Sequence, residues 1–278
     1  MRTTTFFILL FILFGCKPDT ENFINTSDSI KMYYKSFGSN ATTLVFIHGW
    51  SCDASAWDDQ LKYFKDKYHV IALDLPGFGR SGKQRDQWSM QRLGIDVADL
   101  SIELDLNNIV LIGHSMGGPV ALEAAKNLKE KVKGVILVDI LQSPHYSFDT
   151  ASFNWYNDYA ENFTDFEYLS NFHKKDSLRT IRYMKMLPMG EVPPEPWLPM
   201  LIDYYRWKSD DLIPVISEIQ IPIRALNSDQ RVPKFEEWNL YHNNFDATII
   251  ENSGHYLNWE YPDKFNHSLN ELIRDIVE

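Results

Sequence analysis

Short aliphatic runs recur along the chain, and longer segments with helical spacing of their apolar positions separate them. Continuous aliphatic runs between polar turns are typical of buried strands. They predict strands at 30–37, 43–47, 69–73, 108–112, 132–138, 221–226 and 248–250. Apolar residues with the period of a helix predict helices at 56–66, 90–106, 116–129, 234–243 and 262–277. Strands that alternate with helices indicate an α/β fold with a mostly parallel sheet flanked by helices.

The alternation stops at 141–214, a segment rich in aromatic residues such as Tyr146, Phe148 and Trp155. We predict a helical insertion here. The prolines at 193–196 predict a break between two of its helices, because proline cannot continue a helix. We expect most of the aromatic side chains to pack against the sheet domain and a minority to face a pocket.

Charge and cysteine content exclude several classes of protein. The chain has 27 Lys and Arg against 38 Asp and Glu, a formal net charge of -11. It therefore lacks the basic surface that nucleic-acid binding requires, and we predict no nucleic-acid partner. Its two cysteines, Cys16 and Cys52, are too few for a disulfide framework or a cysteine zinc site. The histidines show no metal-ligand spacing, so we predict no metal and no cofactor.

The amino terminus has the pattern of a secretory signal. Arg2 precedes an apolar stretch that is too short to cross a bilayer, which is typical of a signal peptide. The sequence Leu13-Phe14-Gly15-Cys16 resembles the bacterial lipobox, although Phe14 is bulkier than the residue usual there. We predict a signal peptide at 1–15, lipidation of Cys16 and a flexible polar tether at 16–27. The prediction is an extracytoplasmic lipoprotein anchored to a bacterial membrane; ordinary secretory cleavage is the alternative.

A nucleophile motif follows the predicted strand at 108–112. The sequence Gly113-His114-Ser115-Met116-Gly117 matches G-x-S-x-G and precedes a predicted helix. In this context the serine lies on a sharp turn that needs small neighbours and lifts its hydroxyl clear of the carboxyl edge of the sheet. The N-terminus of the next helix carries a partial positive charge that stabilises an oxyanion. We therefore predict that Ser115 is a nucleophile.

Further motifs occur in the same chain order as in a known family. They are His48-Gly49-Trp50, the D-x-P-G-x-G-x-S loop at 74–81, Ser253-Gly254-His255 and Glu260-Tyr261-Pro262. Together with the serine motif they resemble the α/β-hydrolase family over about 30–277. The resemblance implies the α/β-hydrolase fold, with a core at 28–140 and 215–278. It also implies a helical cap at 141–214, inserted after the sixth core strand.

The same resemblance assigns roles to site residues. It implies that His255 is the base that activates Ser115, since a serine hydroxyl is a poor nucleophile at neutral pH. It also implies that the backbone N–H groups of Trp50 and Met116 form the oxyanion hole.

Two residues compete for the acid of the triad. Asp229 follows the predicted strand at 221–226, in a turn that resembles the family's G-x-x-D-x-x-V-P motif but departs from it at Asn227 and Ser228. The chain order Ser115, Asp229, His255 is the one that this fold uses, and we predict Asp229. Asp139 is the alternative, because it follows the strand at 132–138 and some relatives have their acid there.

The His-Gly-Trp motif and the nearby Trp57 are similar to the carboxylesterase branch of the family. This resemblance implies hydrolysis of carboxylic esters of small or medium acyl substrates, through a Ser-His-Asp triad and an acyl-enzyme. We expect a small-molecule acyl substrate as the partner. Because fold does not fix function, a peptidase, thioesterase, C–C hydrolase or perhydrolase on the same triad is an alternative, as is a non-catalytic ligand-binding receptor.

Overall fold

An eight-stranded sheet lies at the centre of the part of the chain that the structure describes. The structure is a computed structural model, and it describes residues 22–147 and 194–278 together with Asn154 and Asp158. The strands are β1 (Phe23–Asn25), β2 (Lys31–Phe37), β3 (Thr43–Ile47), β4 (His69–Leu73), β5 (Ile109–His114), β6 (Val132–Val138), β7 (Ile223–Ser228) and β8 (Phe245–Ile250).

The strands lie in the order β1-β2-β4-β3-β5-β6-β7-β8. The pairs β1–β2 and β2–β4 are antiparallel, and every other neighbouring pair is parallel. All residues of β3 and β5 are buried, so both faces of the sheet are covered at its centre. The predicted architecture, a mostly parallel sheet flanked by helices, is confirmed.

Helices pack on this sheet. The described ones are α1 (Asp58–Phe64), α2 (Met90–Glu103), α3 (Gly117–Leu128), α4 (Pro194–Asp210), α5 (Leu212–Glu218), α6 (Phe235–Trp238), α7 (Leu257–Glu260) and α8 (Pro262–Val277), with 3-10 turns at Ala54–Trp57 and Lys129–Lys131. Helix α2 packs against α3, and α1 against α8. Within residues 22–147 and 194–278, no helix is both long enough and apolar enough to cross a membrane.

The carboxyl end of the predicted tether is part of the sheet. Residues 23–25 form β1, which pairs with β2 through Phe23 and Tyr33. The two rings also contact each other, with centroids 5.3 Å apart. The prediction of a flexible tether over the whole of 16–27 is therefore wrong for its last part. Three residues with one aromatic anchor are too short to give a strand signal in the sequence.

Helix α4 is the largest described part of the predicted insertion at 141–214. It begins at Pro194, so the predicted break at 193–196 falls at a helix start, where proline is tolerated because first-turn N–H groups have no helical partner. Helix α5 crosses the predicted boundary at 214. The aromatic residues from Phe148 to Phe172 that we expect to pack or to face a pocket lie outside the described residues.

Two hydrogen bonds fix α4 on the sheet domain. Asp203 Oδ2 accepts from the backbone N–H of Met90, at the start of α2, at 2.6 Å. Trp207 Nε1 donates to Glu123 Oε1 of α3 at 2.7 Å, and both groups are buried. These contacts attach α4 to α2 and α3, the helices that precede and follow β5 along the chain.

Close packing of α2 on α3 depends on a glycine. A Cβ added to Gly94 would lie 2.3 Å from the Cβ of Glu123 and 3.0 Å from the backbone nitrogen of Ala124. Neither atom is the end of a flexible side chain, so the helices would have to separate to admit even a methyl group.

We expect Gly94→Ala to destabilise the protein by about 2 kcal/mol, because overpacking outweighs the better helix propensity of alanine. The melting temperature would fall by roughly 5 °C. Gln91→Ala, at an exposed position of the same helix, is the control and is expected to change stability by less than about 0.5 kcal/mol. Equal melting temperatures for the two variants would contradict this account of the α2–α3 contact.

Candidate active site

Ser115 lies on a sharp turn between β5 and α3. Its backbone is left-handed, with φ 52°, a conformation that costs a non-glycine residue about 1–2 kcal/mol. A Cβ on Gly113 would lie 2.2 Å from the carbonyl oxygen of Gly117, and a Cβ on Gly117 would lie 2.5 Å from that of Ile47. Both positions exclude a side chain, which explains the glycines of the G-x-S-x-G motif.

His255 reaches the Ser115 hydroxyl from the loop after β8. Its Nε2 lies 3.0 Å from Ser115 Oγ, within hydrogen-bond distance of a base. The loop is held on the amino-terminal side of the histidine, where Gln230 Nε2 donates to the carbonyl oxygen of Ser253 at 2.9 Å and the Gly254 N–H donates to Glu260 at 2.7 Å. The structure therefore brings Ser115 and His255 together, as the motifs predict.

The carboxylate that binds His255 is that of Asp139, and the prediction that Asp229 occupies this position is wrong. His255 Nδ1 lies 2.6 Å from Asp139 Oδ2, and the Asp139 side chain is fully buried. Asp229 is exposed, and its Oδ2 accepts a hydrogen bond from the backbone N–H of Asn252 at 3.0 Å. The order along the chain is thus Ser115, Asp139, His255.

The length of β7 explains why Asp229 misses the site. Val138 pairs with both His114 and Leu226, so Asp139 leaves the sheet at the level of the nucleophile. Strand β7 does not end at 226, as predicted, but continues to Ser228, and Asp229 then contacts the backbone of Asn252 instead of the His255 ring.

Ser228, at the end of β7, binds the acid from its other side. Its backbone N–H and its hydroxyl donate to Asp139 Oδ1 at 2.9 and 2.7 Å. Arg231 Nε forms an ion pair with Oδ2 at 3.1 Å. Burial raises the pKa of the Asp139 carboxyl, and the Arg231 charge and the Ser228 hydrogen bonds oppose that increase.

Two partners of the acid, Ser228 and Arg231, are not predicted by any motif in the sequence. Both lie in the turn that resembles the family's acid loop. The departures from that motif at Asn227 and Ser228 were the available signal that the acid had changed position. Asn227 Nδ2 connects the loop after β6 to the loop after β7, since it donates to the carbonyl oxygens of Ile140 and Arg231, both at 2.7 Å.

Two buried histidines brace the site in neutral form. Burial lowers the pKa of His114 to about 3, and its Nε2 donates to the carbonyl oxygen of His255 at 2.9 Å. Burial also lowers the pKa of His48 to about 4. Because His48 Nε2 accepts from the Leu75 N–H at 3.0 Å, its Nδ1 carries the proton that is donated to the Gly49 carbonyl at 2.7 Å.

The two residues predicted to supply oxyanion donors lie beside the serine. Met116 occupies the N-cap position of α3, where backbone N–H groups have no acceptor within the helix. Trp50 follows Gly49, which packs so closely on the turn that a Cβ there would lie 3.2 Å from the Cβ of Ser115. The role of the two N–H groups stays a prediction.

An aromatic wall flanks the Trp50 loop. The Trp50 ring contacts the rings of Trp197 and Phe78, with centroids 5.1 and 5.7 Å apart. Trp197 belongs to α4, so part of the predicted cap lies next to the predicted oxyanion loop. Nothing in the sequence pattern distinguishes Trp197 from the other aromatic residues of the insertion.

Two other predictions concern lipid and metal. Cys16 lies outside the described residues. Among residues 22–147 and 194–278, no group of three or more His, Cys, Asp or Glu side chains is placed to hold a metal ion.

Known proteins resemble this chain over different lengths. The family model of the alpha/beta hydrolase family matches residues 44–268. A non-heme chloroperoxidase of Burkholderia pyrrocinia is 40% identical over 98 residues, which are 34% of this chain and 35% of that protein. A bifunctional esterase/perhydrolase of Acinetobacter calcoaceticus is 33% identical over 119 residues, 42% of this chain and 43% of that protein. These alignments span less than half the length of either curated relative.

Among solved structures, a thermophilic esterase from Thermogutta terrifontis has a TM-score of 0.77 and 21% identity, covering 93% of this chain and 99% of that one. At this identity the likeness shows the fold alone. Because the family model matches well over half of the residues, the chain belongs to the alpha/beta hydrolase family.

Proposed function

We propose that the protein is a serine hydrolase that cleaves carboxylic esters of small or medium acyl groups. The observation that carries the proposal is the line of contacts from Ser115 Oγ through the His255 ring to the buried Asp139 carboxylate. A nucleophile, a base and a group that orients the base are the set that acyl transfer requires.

In the proposed reaction, His255 Nε2 takes the hydroxyl proton as Ser115 Oγ attacks the ester carbonyl. The imidazolium that forms is stabilised by Asp139. It then donates the proton to the leaving alcohol, and an acyl-enzyme remains. A water molecule, deprotonated by the same Nε2, attacks this ester, and the acid leaves as Ser115 regains its proton.

We also propose that the N–H groups of Trp50 and Met116 bind the oxyanion in both halves of the reaction. A donor of this kind contributes on the order of 3 kcal/mol to transition-state stabilisation. The bonds of His48 to Gly49 and Leu75 support this role, because they fix the loop that carries the Trp50 N–H.

Perhydrolysis is a second candidate activity, and the similarity to haloperoxidases and to an esterase/perhydrolase favours it. In this reaction hydrogen peroxide instead of water attacks the acyl-enzyme, and a peracid leaves. Both activities need the same nucleophile and base, so variants of these residues do not distinguish them. The two are distinguished by measuring how much acid and how much peracid the protein releases from one acyl ester in the presence of hydrogen peroxide.

Replacement of the nucleophile tests the proposal directly. We expect Ser115→Ala to lower kcat for p-nitrophenyl acetate by at least about 10⁴-fold, because the hydroxyl forms the covalent bond. The melting temperature is expected to stay within a few degrees. A fluorophosphonate probe is expected to label the native protein and not the variant. A Ser115→Ala variant that keeps a tenth of the native kcat would overturn the proposal.

A second test compares the two aspartates. We expect Asp139→Asn to lower kcat by on the order of 10³–10⁴-fold, by analogy with the aspartate of chymotrypsin-type triads. Asp229→Asn removes an equal charge from an exposed position and is expected to stay within about threefold of native. Both kcat values are measured at equal folded concentration. A larger loss in the Asp229 variant would restore the sequence-based assignment.

For location, we propose a lipid on Cys16 that anchors the protein to a bacterial membrane, supported by the lipobox-like sequence before it. The full chain is to be expressed in a bacterium. Native protein is expected in the detergent phase of a Triton X-114 partition, and Cys16→Ser protein in the aqueous phase. An unmodified mature N-terminus at another residue, found by mass spectrometry, would overturn the proposal.

A further inference from the structure

One oxygen of the triad acid contacts both the base and an arginine. Asp139 Oδ2 lies 2.6 Å from His255 Nδ1 and 3.1 Å from Arg231 Nε. A triad histidine becomes positive in the transition state and relies on the aspartate for stabilisation. An arginine at the same oxygen competes for that stabilisation. Its charge therefore affects the protonation of the base as well as that of the acid.

The backbone holds Arg231 in this place. Its N–H donates to the carbonyl oxygen of Ser228 at 3.1 Å, and its own carbonyl accepts from Asn227 Nδ2 at 2.7 Å. Ser228 in turn donates twice to Asp139. The arginine is therefore part of the turn that binds the acid.

The charges around the Asp139–His255 pair come from several elements. His114, on β5, is neutral because burial lowers its pKa to about 3. Lys208, on α4, interacts with Arg231 and not directly with the pair: burial and the Arg231 charge lower the pKa of the lysine to about 7. Within the described residues, Asp139 is the one carboxylate at ion-pair distance from Arg231.

We propose that Arg231 is a positioning residue that keeps Asp139 ionised and weakens its field at His255, so that the base stays unprotonated, and the enzyme active, at lower pH. The inference rests on the proposed hydrolase function. Two effects of the guanidinium act in the same direction. It disfavours a proton on the carboxylate by attraction, and it disfavours a proton on the imidazole by repulsion. Loss of its charge therefore moves the onset of activity to higher pH.

The test is the pH dependence of kcat/KM for p-nitrophenyl acetate between pH 5 and 9, in native protein and in Arg231→Gln. We expect the acidic midpoint to rise by about 0.5–1 pH unit in the variant, a moderate shift because the Arg231 side chain is 43% exposed and partly screened. Each midpoint is measured relative to the alkaline plateau of the same variant, because loss of the guanidinium also changes the stabilisation of the imidazolium.

Three further variants control the experiment. Arg231→Lys retains the charge and is expected to keep its midpoint nearer to native than the Gln variant does. Arg231→Met is a second neutral variant, to be used if the Gln variant fails to fold. Lys234→Gln removes a positive charge from the same loop, where the lysine pairs with Glu237 at 3.0 Å, and is expected to leave the midpoint in place.

The outcomes separate the inference from the proposed function. If native protein is labelled by a fluorophosphonate but a neutral Arg231 variant keeps the native midpoint, the positioning role of Arg231 is overturned and the proposed hydrolase function stands. An equal shift in Lys234→Gln would also overturn it, since any nearby charge would then suffice. If native protein is not labelled at any pH, the proposed function fails, and the inference fails with it.

Discussion

Four contacts stabilise the buried carboxylate of Asp139, and this carboxylate in turn fixes the geometry of the site. Oδ1 accepts two hydrogen bonds from Ser228, and Oδ2 faces His255 and Arg231. An unpaired charge in this position would cost several kcal/mol, so the loops that supply the partners are required to stay in place. The carboxylate therefore joins the loops after β6, β7 and β8 into one unit.

The sheet makes this unit possible. In a parallel sheet all strands end at the same edge, and β5, β6 and β7 lie side by side with their carboxyl ends together. Ser115 and Asp139 leave adjacent strands at the same level, and the Ser115 N–H donates to the carbonyl of Val138 at 3.0 Å. Both residues have left-handed backbone, with φ 52° and 54°, so both strands end in sharp turns that point side chains above the edge. The strain at these two residues is offset by the packing of the strands beneath them.

Much of the fold could be predicted from the sequence because buried parallel strands leave a plain signal. The predicted limits at 43–47, 69–73 and 132–138 agree with β3, β4 and β6. The end of β7 could not be predicted, because Asn227 and Ser228 are polar residues that are nonetheless buried in the sheet. The prediction of Asp229 rested on the resemblance of its turn to the family's acid motif and on the order of the three residues along the chain, and neither shows where β7 ends. A motif fixes the order of residues along the chain, whereas the pairing of strands decides which carboxylate reaches the histidine. The ion pair between Arg231 and Asp139 depends on the same pairing of strands, and no sequence motif predicts it.

The arrangement of the site requires that Asp139, not Asp229, binds the ring of His255. The most direct measurement is the proton NMR spectrum of ¹⁵N-histidine-labelled protein at low temperature. A short imidazole–carboxylate hydrogen bond gives an Nδ1–H resonance far downfield of the amide protons. We expect this resonance in native protein and in Asp229→Asn, and its loss or strong upfield shift in Asp139→Asn. A resonance that persists in Asp139→Asn and disappears in Asp229→Asn would contradict this arrangement of the site.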